Sequence, residues 1–312
     1  MMLFRALLSA IAILATTGCH VDFGDGERFH EDFHSTHKIQ PGGHLTIDNH
    51  NGSIEISTWE KDEIEINGTK HASSKDLLED LKVDIDASPD KVAIHVSQPE
   101  FRHGNSGVRF NLRVPKKLEL DRIRSSNGHI RVIGTEGPAN LETTNGKIGA
   151  EKLNGKLMAQ STNGGIAIEG HTGSVRAHTT NGSIHGDTKG ELDAETTNGS
   201  IDMKVDNAAV SSAPVRLETS NGKIHVVLTA AADLRARTNN SSITVELPSS
   251  ANANLRARTP NSRVHSDFGP DPKWDDDDDR DNRRRSMDMK IGTGGPVIDL
   301  TTSNGDIRIL KN

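Results

Sequence analysis

The chain has 312 residues, of which only 32% are apolar and 3% aromatic, with two tryptophans, seven phenylalanines and no tyrosine. This composition excludes a thick globular core, yet isoleucine, valine and leucine recur at regular intervals, which is not typical of a disordered chain. The net charge of -7 makes nucleic acid an unsuitable partner.

Residues 1–19 have the features of an export signal. Met1 to Arg5 form a short basic start, Ala6 to Ala15 are apolar but too few to span a bilayer, and small residues precede Cys19, the only cysteine. This segment resembles a bacterial lipoprotein signal, in which the cysteine becomes the lipidated first residue. The resemblance implies a signal peptide at residues 1–18, lipidation of Cys19, and membrane contact through that anchor alone. The alternative is an ordinary signal peptide cut nearby, which leaves a soluble periplasmic protein.

The next segments predict a spacer and then strands. Residues 19–43 hold the anchor and a stretch rich in His, Asp, Glu and Gly that ends in Pro41-Gly42-Gly43, as is typical of a spacer. Apolar and polar residues then alternate over residues 44–48 and 53–57, on either side of Asn51-Gly52, which predicts two strands. One short helix is predicted near residues 74–82, with Ser74 as its N-cap.

From about residue 120 one phrase repeats, Thr/Ser-Thr/Ser-Asn-Gly-x-Ile. The full copies from Asn127 to Asn198 recur about every 18 residues, and a longer interval precedes the copy at Asn221. Degenerate copies continue the series, and a full copy closes the chain. The predicted turn positions are Asn127, Gly128, Asn145, Gly146, Asn163, Gly164, Asn181, Gly182, Asn198, Gly199, Asn221, Gly222, Asn240, Asn261, Asn304 and Gly305.

The isoleucine of each copy is predicted to form a core stack. Its members, three positions after each asparagine, are Ile130, Ile148, Ile166, Ile184, Ile201, Ile224, Ile243, Val264 and Ile307. The interval from Asn51 to Asn127 is close to four periods of about 19 residues. The first half is therefore predicted to share this plan in eroded form.

Two all-β architectures fit a period of about 18 residues that contains two alternating segments. In one, each period is a rung of a right-handed parallel β-solenoid, whose strands pair with their equivalents about 4.8 Å away. In the other, Asn-Gly is a hairpin turn and the strands form an antiparallel meander. We favour the solenoid, because parallel stacking puts like residues side by side and so favours repetition of Thr-Thr and Ile as well as Asn-Gly. Thirteen or so rungs would make a rod roughly 60 Å long.

In the solenoid each residue of the motif has a physical role. Asparagine tolerates the left-handed backbone region, and its amide can donate to one neighbouring asparagine and accept from the other. The glycine permits a sharp corner, the hydroxyls before the asparagine can form a parallel ladder, and the isoleucine points inward.

Residues 267–290, which include five consecutive aspartates, fit no strand and are predicted to form a charged loop within a repeat domain of residues 44–310.

Several segments together carry a family resemblance: Pro41-Gly42-Gly43, Asn51-Gly52-Ser53-Ile54, Trp59-Glu60-Lys61-Asp62-Glu63-Ile64, and the serial Thr-Thr-Asn-Gly-x-Ile. Over about residues 38 to 310 the chain resembles the bacterial putative-adhesin family of β-strand-repeat envelope proteins, a domain of unknown function. The resemblance implies a right-handed β-helical body, export to the envelope and no known catalytic centre. The charged insertion departs from a regular repeat.

Motifs for catalysis are weak in this sequence. The only thiol is at the anchor, no serine lies in Gly-x-Ser-x-Gly, and sugar cleavage needs two carboxylates close together. The outward carboxylates lie singly on short rungs, as at Asp187, Glu191, Asp202 and Glu218. We therefore predict that the protein is not an enzyme and has no catalytic residue and no cofactor.

The histidines also predict no metal site. His30, His34 and His37 would meet on a helix, but their segment has no helical pattern. Another set lies in the column directly after the inward isoleucine and is expected on an outer face: His185, Asp202, His225, Thr244 and His265. We expect an ordinary polar surface there, with a zinc-binding or pH-responsive stripe as the alternative.

These features favour a non-enzymatic, exported cell-envelope protein, an adhesin or binding scaffold. Its partner would be an envelope protein, a polysaccharide or a cell-surface ligand that meets a polar solenoid surface. One alternative is an envelope-stress or regulatory component that acts through a protein partner. The other is a polysaccharide-active enzyme.

Overall fold

Parallel, in-register strand pairing dominates the computed structural model, which describes residues 29–97, 104–207, 213–269 and 286–312. The predicted signal peptide, Cys19 and residues 270–285 of the predicted loop lie outside the described residues. The described strands form two sheets of 13 strands each. The predicted all-β solenoid is confirmed, and the antiparallel meander is wrong for the repeat region.

The first elements along the chain are β1 (Phe29–Lys38), β2 (Gly43–Asn51), β3 (Ile54–Trp59), β4 (Glu63–Ala72), α1 (Lys75–Asp80), β5 (Lys82–Ala87), β6 (Lys91–Ser97) and β7 (Ser106–Pro115). The central strands are β8 (Leu118–Asn127), β9 (Ile130–Ile133), β10 (Ala139–Thr143), β11 (Ile148–Glu151), β12 (Leu157–Ser161), β13 (Ile166–Thr172), β14 (Val175–Thr179), β15 (Ile184–Lys189), β16 (Leu192–Thr196), β17 (Ile201–Val205), β18 (Val215–Thr219) and β19 (Ile224–Leu228). The last strands are β20 (Leu234–Thr238), β21 (Ile243–Leu247), β22 (Ala253–Arg258), β23 (Val264–Ser266), β24 (Ser286–Ile291), β25 (Val297–Thr302) and β26 (Ile307–Lys311).

The strands alternate between the two sheets along most of the chain. Sheet A has the order β1-β4-β7-β3-β9-β11-β13-β15-β17-β19-β21-β26-β23, and sheet B has the order β24-β22-β25-β20-β18-β16-β14-β12-β10-β8-β2-β6-β5. At the usual strand spacing, 13 strands span about 58 Å, in agreement with the predicted rod length.

One rung consists of a strand from each sheet and two corners. In a central rung, β12 runs through sheet B, the chain turns at Asn163-Gly164, β13 runs through sheet A, and a corner at Gly173 leads to β14. Leu157 and Ala159 of β12 face inward and are fully buried. Leu157 pairs with Val175, which occupies the same place in the next copy of the repeat, so one period of the sequence is one rung.

The predicted core stack lies between the two sheets. Each of its nine members is the first residue of a strand in sheet A and is 0–4% exposed. Neighbouring rungs pair these residues directly, as in Ile148 with Ile166 and Ile184 with Ile201. The thin core is therefore a column of like side chains, which accounts for the low apolar fraction of the chain.

The N-terminal half follows the predicted eroded repeat only in part. β3, which follows Asn51, pairs directly with β9, and β2 pairs with β8, so the rung of Asn51 lies next to the rung of Asn127. The intervening residues form antiparallel β4, helix α1, the β5–β6 hairpin and β7. The long interval between Asn51 and Asn127 therefore contains one parallel rung, formed by β6 beside β2 and β7 beside β3, and not the several rungs that its length suggests.

The C-terminal rungs are also out of chain order. β25 lies between β20 and β22, and β26 lies between β21 and β23. The last full motif, at Asn304, therefore occupies the place between the rungs of Asn240 and Asn261. Strands β25 and β26 therefore fill a gap of one strand in each sheet. In sheet B the gap lies between β20 and β22, and in sheet A it lies between β21 and β23.

Two predicted non-repetitive segments contain strands. Phe29–Lys38, assigned to the spacer of residues 19–43, forms β1 and pairs antiparallel with β4. Ser286–Ile291, assigned mostly to the charged loop of residues 267–290, forms β24 and pairs antiparallel with β22. Both predictions were wrong because apolar alternation is weak in these polar strands, which lie at sheet edges where only one partner is needed.

The predicted helix is confirmed as α1. The hydroxyl of Ser74 accepts a hydrogen bond from the backbone N–H of Leu77 at 3.3 Å, and Leu77 and Leu78 pack against Ala72 and Phe29. Among the described residues, no helix has the length and apolar character needed to cross a membrane.

Ile184→Asp should unfold the rod locally, whereas His185→Ala should leave folding nearly unchanged. Ile184 is fully buried in the core stack and an unpaired carboxylate there costs several kcal/mol, while His185 is exposed on the outer face. Chemical denaturation followed by circular dichroism measures both effects. An equal loss of stability in the two variants would contradict the assignment of inward and outward positions.

Candidate functional site

The asparagines of the turn motif form a continuous side-chain ladder. Each Nδ2 donates to the Oδ1 of the asparagine in the neighbouring rung over 2.7–3.0 Å. In spatial order the members are Asn51, Asn127, Asn145, Asn163, Asn181, Asn198, Asn221, Asn240, Asn304 and Asn261. Each internal amide therefore donates to one neighbour and accepts from the other, and ten rungs are connected.

The ladder has a direction and a defined N-terminal end. All its donors point toward the rung of Asn51, whose own Nδ2 donates to the backbone carbonyl of Ser106 at 2.8 Å. Asn49, which is buried, donates to the carbonyls of Val108 at 2.8 Å and Gly52 at 3.1 Å. Strand β7 therefore ends the ladder by supplying backbone acceptors in place of a further asparagine.

The glycines after these asparagines are needed for close backbone approach. From Gly128 to Gly222, and at Gly305, a Cβ would lie far inside van der Waals distance of the carbonyl oxygen of the preceding rung. None of these seven glycines has a positive φ, and neither do the asparagines of the ladder. The predicted left-handed corner at Asn-Gly is therefore wrong for these seven copies, whereas Gly52 in the rung of Asn51 does have a positive φ. Positive φ occurs at the opposite corner, for example at Gly155 and Gly173.

The hydroxyls two residues before each asparagine also differ from the predicted parallel ladder. Thr179 donates to the carbonyl oxygen of Gly164 at 2.8 Å, and Thr196 donates to that of Gly182 at 2.8 Å. The same bond recurs along the rod from Ser125 to Thr238 and at Thr259. The hydroxyl thus donates to the same carbonyl oxygen against which the glycine of the next rung packs. This buried acceptor is therefore satisfied.

The outward column on sheet A contains the predicted stripe, with one residue added. His185 pairs with Asp202, Asp202 with His225, and His225 with Thr244, but Arg308 of the inserted rung separates Thr244 from His265. Sequence order alone does not predict this separation, because β26 enters the stack out of turn.

His225 links three rungs on this outer face. Its Nδ1 lies 2.9 Å from Asp202 and its Nε2 lies 3.1 Å from Glu246. Burial lowers the pKa of His225, but the hydrogen bonds with Glu246 and Asp202 outweigh this effect and raise the pKa above its ordinary value. The carboxylates therefore favour a charged imidazole, which fits a charged surface network.

A second cluster, which the sequence analysis missed, lies on sheet B. The Nδ1 of His44 on β2 is 3.0 Å from Asp121 and 3.8 Å from Glu119, both on β8. A β-bulge at this pairing turns Asp121 outward next to Glu119. Among the described residues, these three side chains have ligand atoms close enough together to hold a metal ion. The hydrogen bond with Asp121 raises the pKa of His44, and the absence of a metal site stays a prediction.

The three histidines near the N-terminus are not brought together. His30 and His34 lie on one face of strand β1, four residues apart, and His37 lies on the other face. The Nδ1 of His34 is 2.8 Å from the Oδ1 of Asn67 on β4, the directly paired residue.

The candidate catalytic carboxylates have separate partners. Asp187 accepts from the backbone N–H of Gly170 at 3.1 Å, and Glu218 accepts from Arg216 at 3.0 Å. Glu191 lines a shallow cleft of about 230 Å³ together with Asp193, but Asp193 is held by Arg176 at 3.3 Å. These contacts are those of a charged surface, and the absence of enzyme activity stays a prediction.

The opposite corner contains a buried column that mixes polar and apolar residues, which the sequence analysis also missed. In spatial order the buried side chains are Thr135, Leu153, His171, Thr188, Val205, Leu228 and Leu247. Both ring nitrogens of His171 are buried without a hydrogen-bond partner of good geometry, as is the hydroxyl of Thr188. Burial lowers the pKa of His171, and the nearby backbone of Ser174 and Gly155 only partly offsets this effect.

Gly164→Ala should destabilise the rod, because the new methyl group would overlap the carbonyl of Gly146 in the preceding rung. Overpacking of this kind costs roughly 1–3 kcal/mol or more, and neither backbone can retreat without breaking the pairing of the strands. Denaturant unfolding measures the loss.

Gly149→Ala is the matched control for this substitution. Gly149 lies on β11, and a Cβ there would meet only the side chain of Arg131 at an ordinary 3.7 Å. Because alanine restricts the unfolded chain more than glycine, this variant should be neutral or slightly more stable. Similar losses in both variants would show that glycine content, and not contact between rungs, sets the stability.

His171→Leu should stabilise the protein, most strongly in mild acid. Leu153 and Leu228 fill equivalent positions in the same column, so leucine fits the site and removes unsatisfied ring nitrogens. Because the pKa of His171 is lowered by folding, the unfolded chain gains the proton first as the pH falls below about 6.5, and native stability is lost there. The melting temperature of the variant relative to the native chain should rise from pH 8 to pH 5.5.

His225→Gln provides a comparison of opposite sign. The pKa of His225 is raised by folding, so its contribution is present below about pH 6.5 and is lost as the pH rises through the folded pKa. The deficit of this variant should therefore be larger at pH 5.5 than at pH 8. Parallel pH dependence in the two variants would contradict the opposite environments assigned to these histidines.

Comparison with known proteins gives a family match over most of the chain. The Toastrack DUF4097 family matches residues 43–310, and a comparison with curated proteins finds no match. Among solved structures, a putative cell adhesion protein from Clostridium sporogenes is 13% identical, with 90% of this chain and 100% of that chain covered and a TM-score of 0.23. On the strength of the family match, which agrees with the resemblance carried by the repeats, the chain belongs to the Toastrack DUF4097 family.

Proposed function

We propose that this protein is a non-enzymatic, exported and lipid-anchored scaffold of the cell envelope. It presents the outer faces of its solenoid to an envelope polysaccharide, protein or cell-surface ligand, and it acts by binding. The observation that carries the proposal is the construction of these faces, in which polar outward side chains stand in register on two sheets of 13 strands.

The outward positions support binding over an extended surface. Charged residues of neighbouring rungs pair across the faces, as in Arg131 with Glu151 at 2.7 Å and Arg176 with Asp193 at 3.3 Å. Such exposed pairs contribute little to stability. They do, however, give each part of the face a particular pattern of charge that a partner can match.

The ladders support a rigid binding face. Each rung is held to the next by backbone pairing, an asparagine bond and a hydroxyl-to-carbonyl bond. A partner that contacts several rungs would therefore lose little conformational freedom from the scaffold, since its side chains are mounted on a fixed backbone. Preorganisation of this kind increases affinity for a given contact area.

Export and anchoring are proposed from the leader. The basic start, the short apolar stretch and Cys19 fit a lipoprotein signal, and residues 20–28 would connect the lipidated cysteine to β1. This placement would hold the rod close to a membrane by its N-terminal end. The long faces would then remain accessible to other envelope components.

Cys19→Ser should abolish incorporation of labelled palmitate and move the protein from the membrane fraction to the soluble fraction. Thr17→Ser is the matched control, because it changes the leader but keeps the cysteine. Labelling and fractionation of cells that express each form provide the measurement. Retention of label in Cys19→Ser would rule out this anchor, and loss of label in both forms would point to a general export defect.

Binding is tested with the purified chain on a glycan array and by pull-down from envelope extracts. Saturable binding without turnover supports the proposed scaffold. Release of reducing sugars that is lost in Glu218→Gln would contradict it and indicate a polysaccharide-active enzyme. Specific capture of an envelope signalling protein, with no glycan bound, would favour the regulatory alternative.

A further inference from the structure

A cleft of about 290 Å³ opens on sheet A near the end of the rod that contains β1. It occurs where the repeat is interrupted, between β1, β4 and β7 and the residues directly after β4 and directly before β7. The polar side chains that line it are His30, Thr69, His71, Ser73, Asn105 and Arg109.

Strand register brings the charged and titratable groups of this cleft together. His30 on β1 is paired directly with His71 on β4, and Thr69 on β4 is paired directly with Arg109 on β7. The position on β7 opposite His71 is Gly107, which adds no side chain to the row. The two imidazoles and the guanidinium are thus mounted on three adjacent strands.

A backbone clamp forms one wall of the cleft. The N–H of Ser73 donates to the carbonyl of Asn105 at 2.9 Å, and the N–H of Asn105 donates to the hydroxyl of Ser73 at 3.2 Å. The hydroxyl proton of Ser73 is not used in either bond and remains available to a ligand. These bonds fix the wall against the strands.

The lining is rich in hydrogen-bond donors and, among the described residues, contains no carboxylate. The nearest acids along β1 already have partners, since Asp32 accepts from Thr69 at 2.7 Å and Glu31 accepts from Lys70 at 3.4 Å. Arg109 contributes a permanent charge with several N–H groups, and an imidazole donates from at least one nitrogen in either tautomer. Donor groups around a cation suit an oxyanion.

We propose that this cleft binds an oxyanion, the carboxylate or phosphate group of an acidic saccharide. Arg109 provides the charge, while His30 and the hydroxyl of Ser73 provide further hydrogen bonds. The proposal extends the proposed function but does not depend on it, because a scaffold that met its partner on another face would still hold the anion here.

The test is calorimetric titration of the full chain with sodium phosphate and, separately, with sodium glucuronate, both at constant ionic strength maintained with chloride. Saturable binding of either anion is expected, and the arm that saturates identifies phosphate or carboxylate as the source. Arg109→Gln should weaken binding by about tenfold or more, because it removes charge-assisted hydrogen bonds. Arg113→Gln is the matched control, since Arg113 lies outward on the same strand but is paired with Glu65 at 3.5 Å. Its affinity should remain within about twofold of the native chain.

His30→Gln is a second variant, needed in case Arg109→Gln fails to fold, and circular dichroism checks the folding of each variant. Weakening in a folded His30→Gln chain supports the site. Absence of saturable binding of both anions to the native chain overturns the proposal. Equal weakening in Arg109→Gln and Arg113→Gln also overturns it, because that result would mean binding by general surface charge.

Discussion

The spacing between hydrogen-bonded strands is the constraint on which the rest of this structure depends. At about 4.8 Å, the Asn-Gly corners of neighbouring rungs are in contact, and a Cβ on Gly164 would overlap the backbone of Gly146. The same contact brings the hydroxyl of Thr179 to the carbonyl of Gly164 and the amide of Asn181 to that of Asn163. The spacing between strands therefore requires the glycine and allows the hydrogen bonds of the threonine and the asparagine. The three residues recur together for that reason.

A ladder with a single direction also makes the rungs depend on one another. Each asparagine bond polarises the next, and each rung contacts only its neighbours, so stability is a sum of interfaces and not of one central core. Ends are then the weak points of the rod. At the N-terminal end, β7 supplies the carbonyl of Ser106 to close the ladder. Near the other end, the chain terminus fills the gap between the rungs of Asn240 and Asn261.

Sequence patterns predicted the rungs well because the period of the Asn-Gly motif is a local property. It can be read from the sequence between Asn127 and Asn221 without knowing which residues are in contact. They did not predict the order of the rungs at either end, because parallel edges of like rungs are chemically alike and Asn304 can bond any open asparagine. The sequence pattern predicts that the glycines are needed for a special backbone angle. The structure shows instead that they are needed for close approach to the backbone of another rung, which depends on a residue one period away in the chain. The cluster of His44 and Asp121 needs both a long-range pairing and a bulge, and neither has a signal in the sequence.

Repetition and recognition make opposite demands on this fold. Inward and corner positions must repeat, since like residues stack on like, and a rod made only of such rungs has flat faces. Outward positions are free to differ, as His185, Asp202 and His225 do within one column. A concave site requires more than a change of side chain, because it needs backbone that leaves the repeat. The residues directly after β4 and directly before β7 provide such backbone, and the clamp between Ser73 and Asn105 places a wall beside His71 and Arg109. Interruptions of the repeat are therefore the places where a solenoid of this kind can acquire a selective pocket.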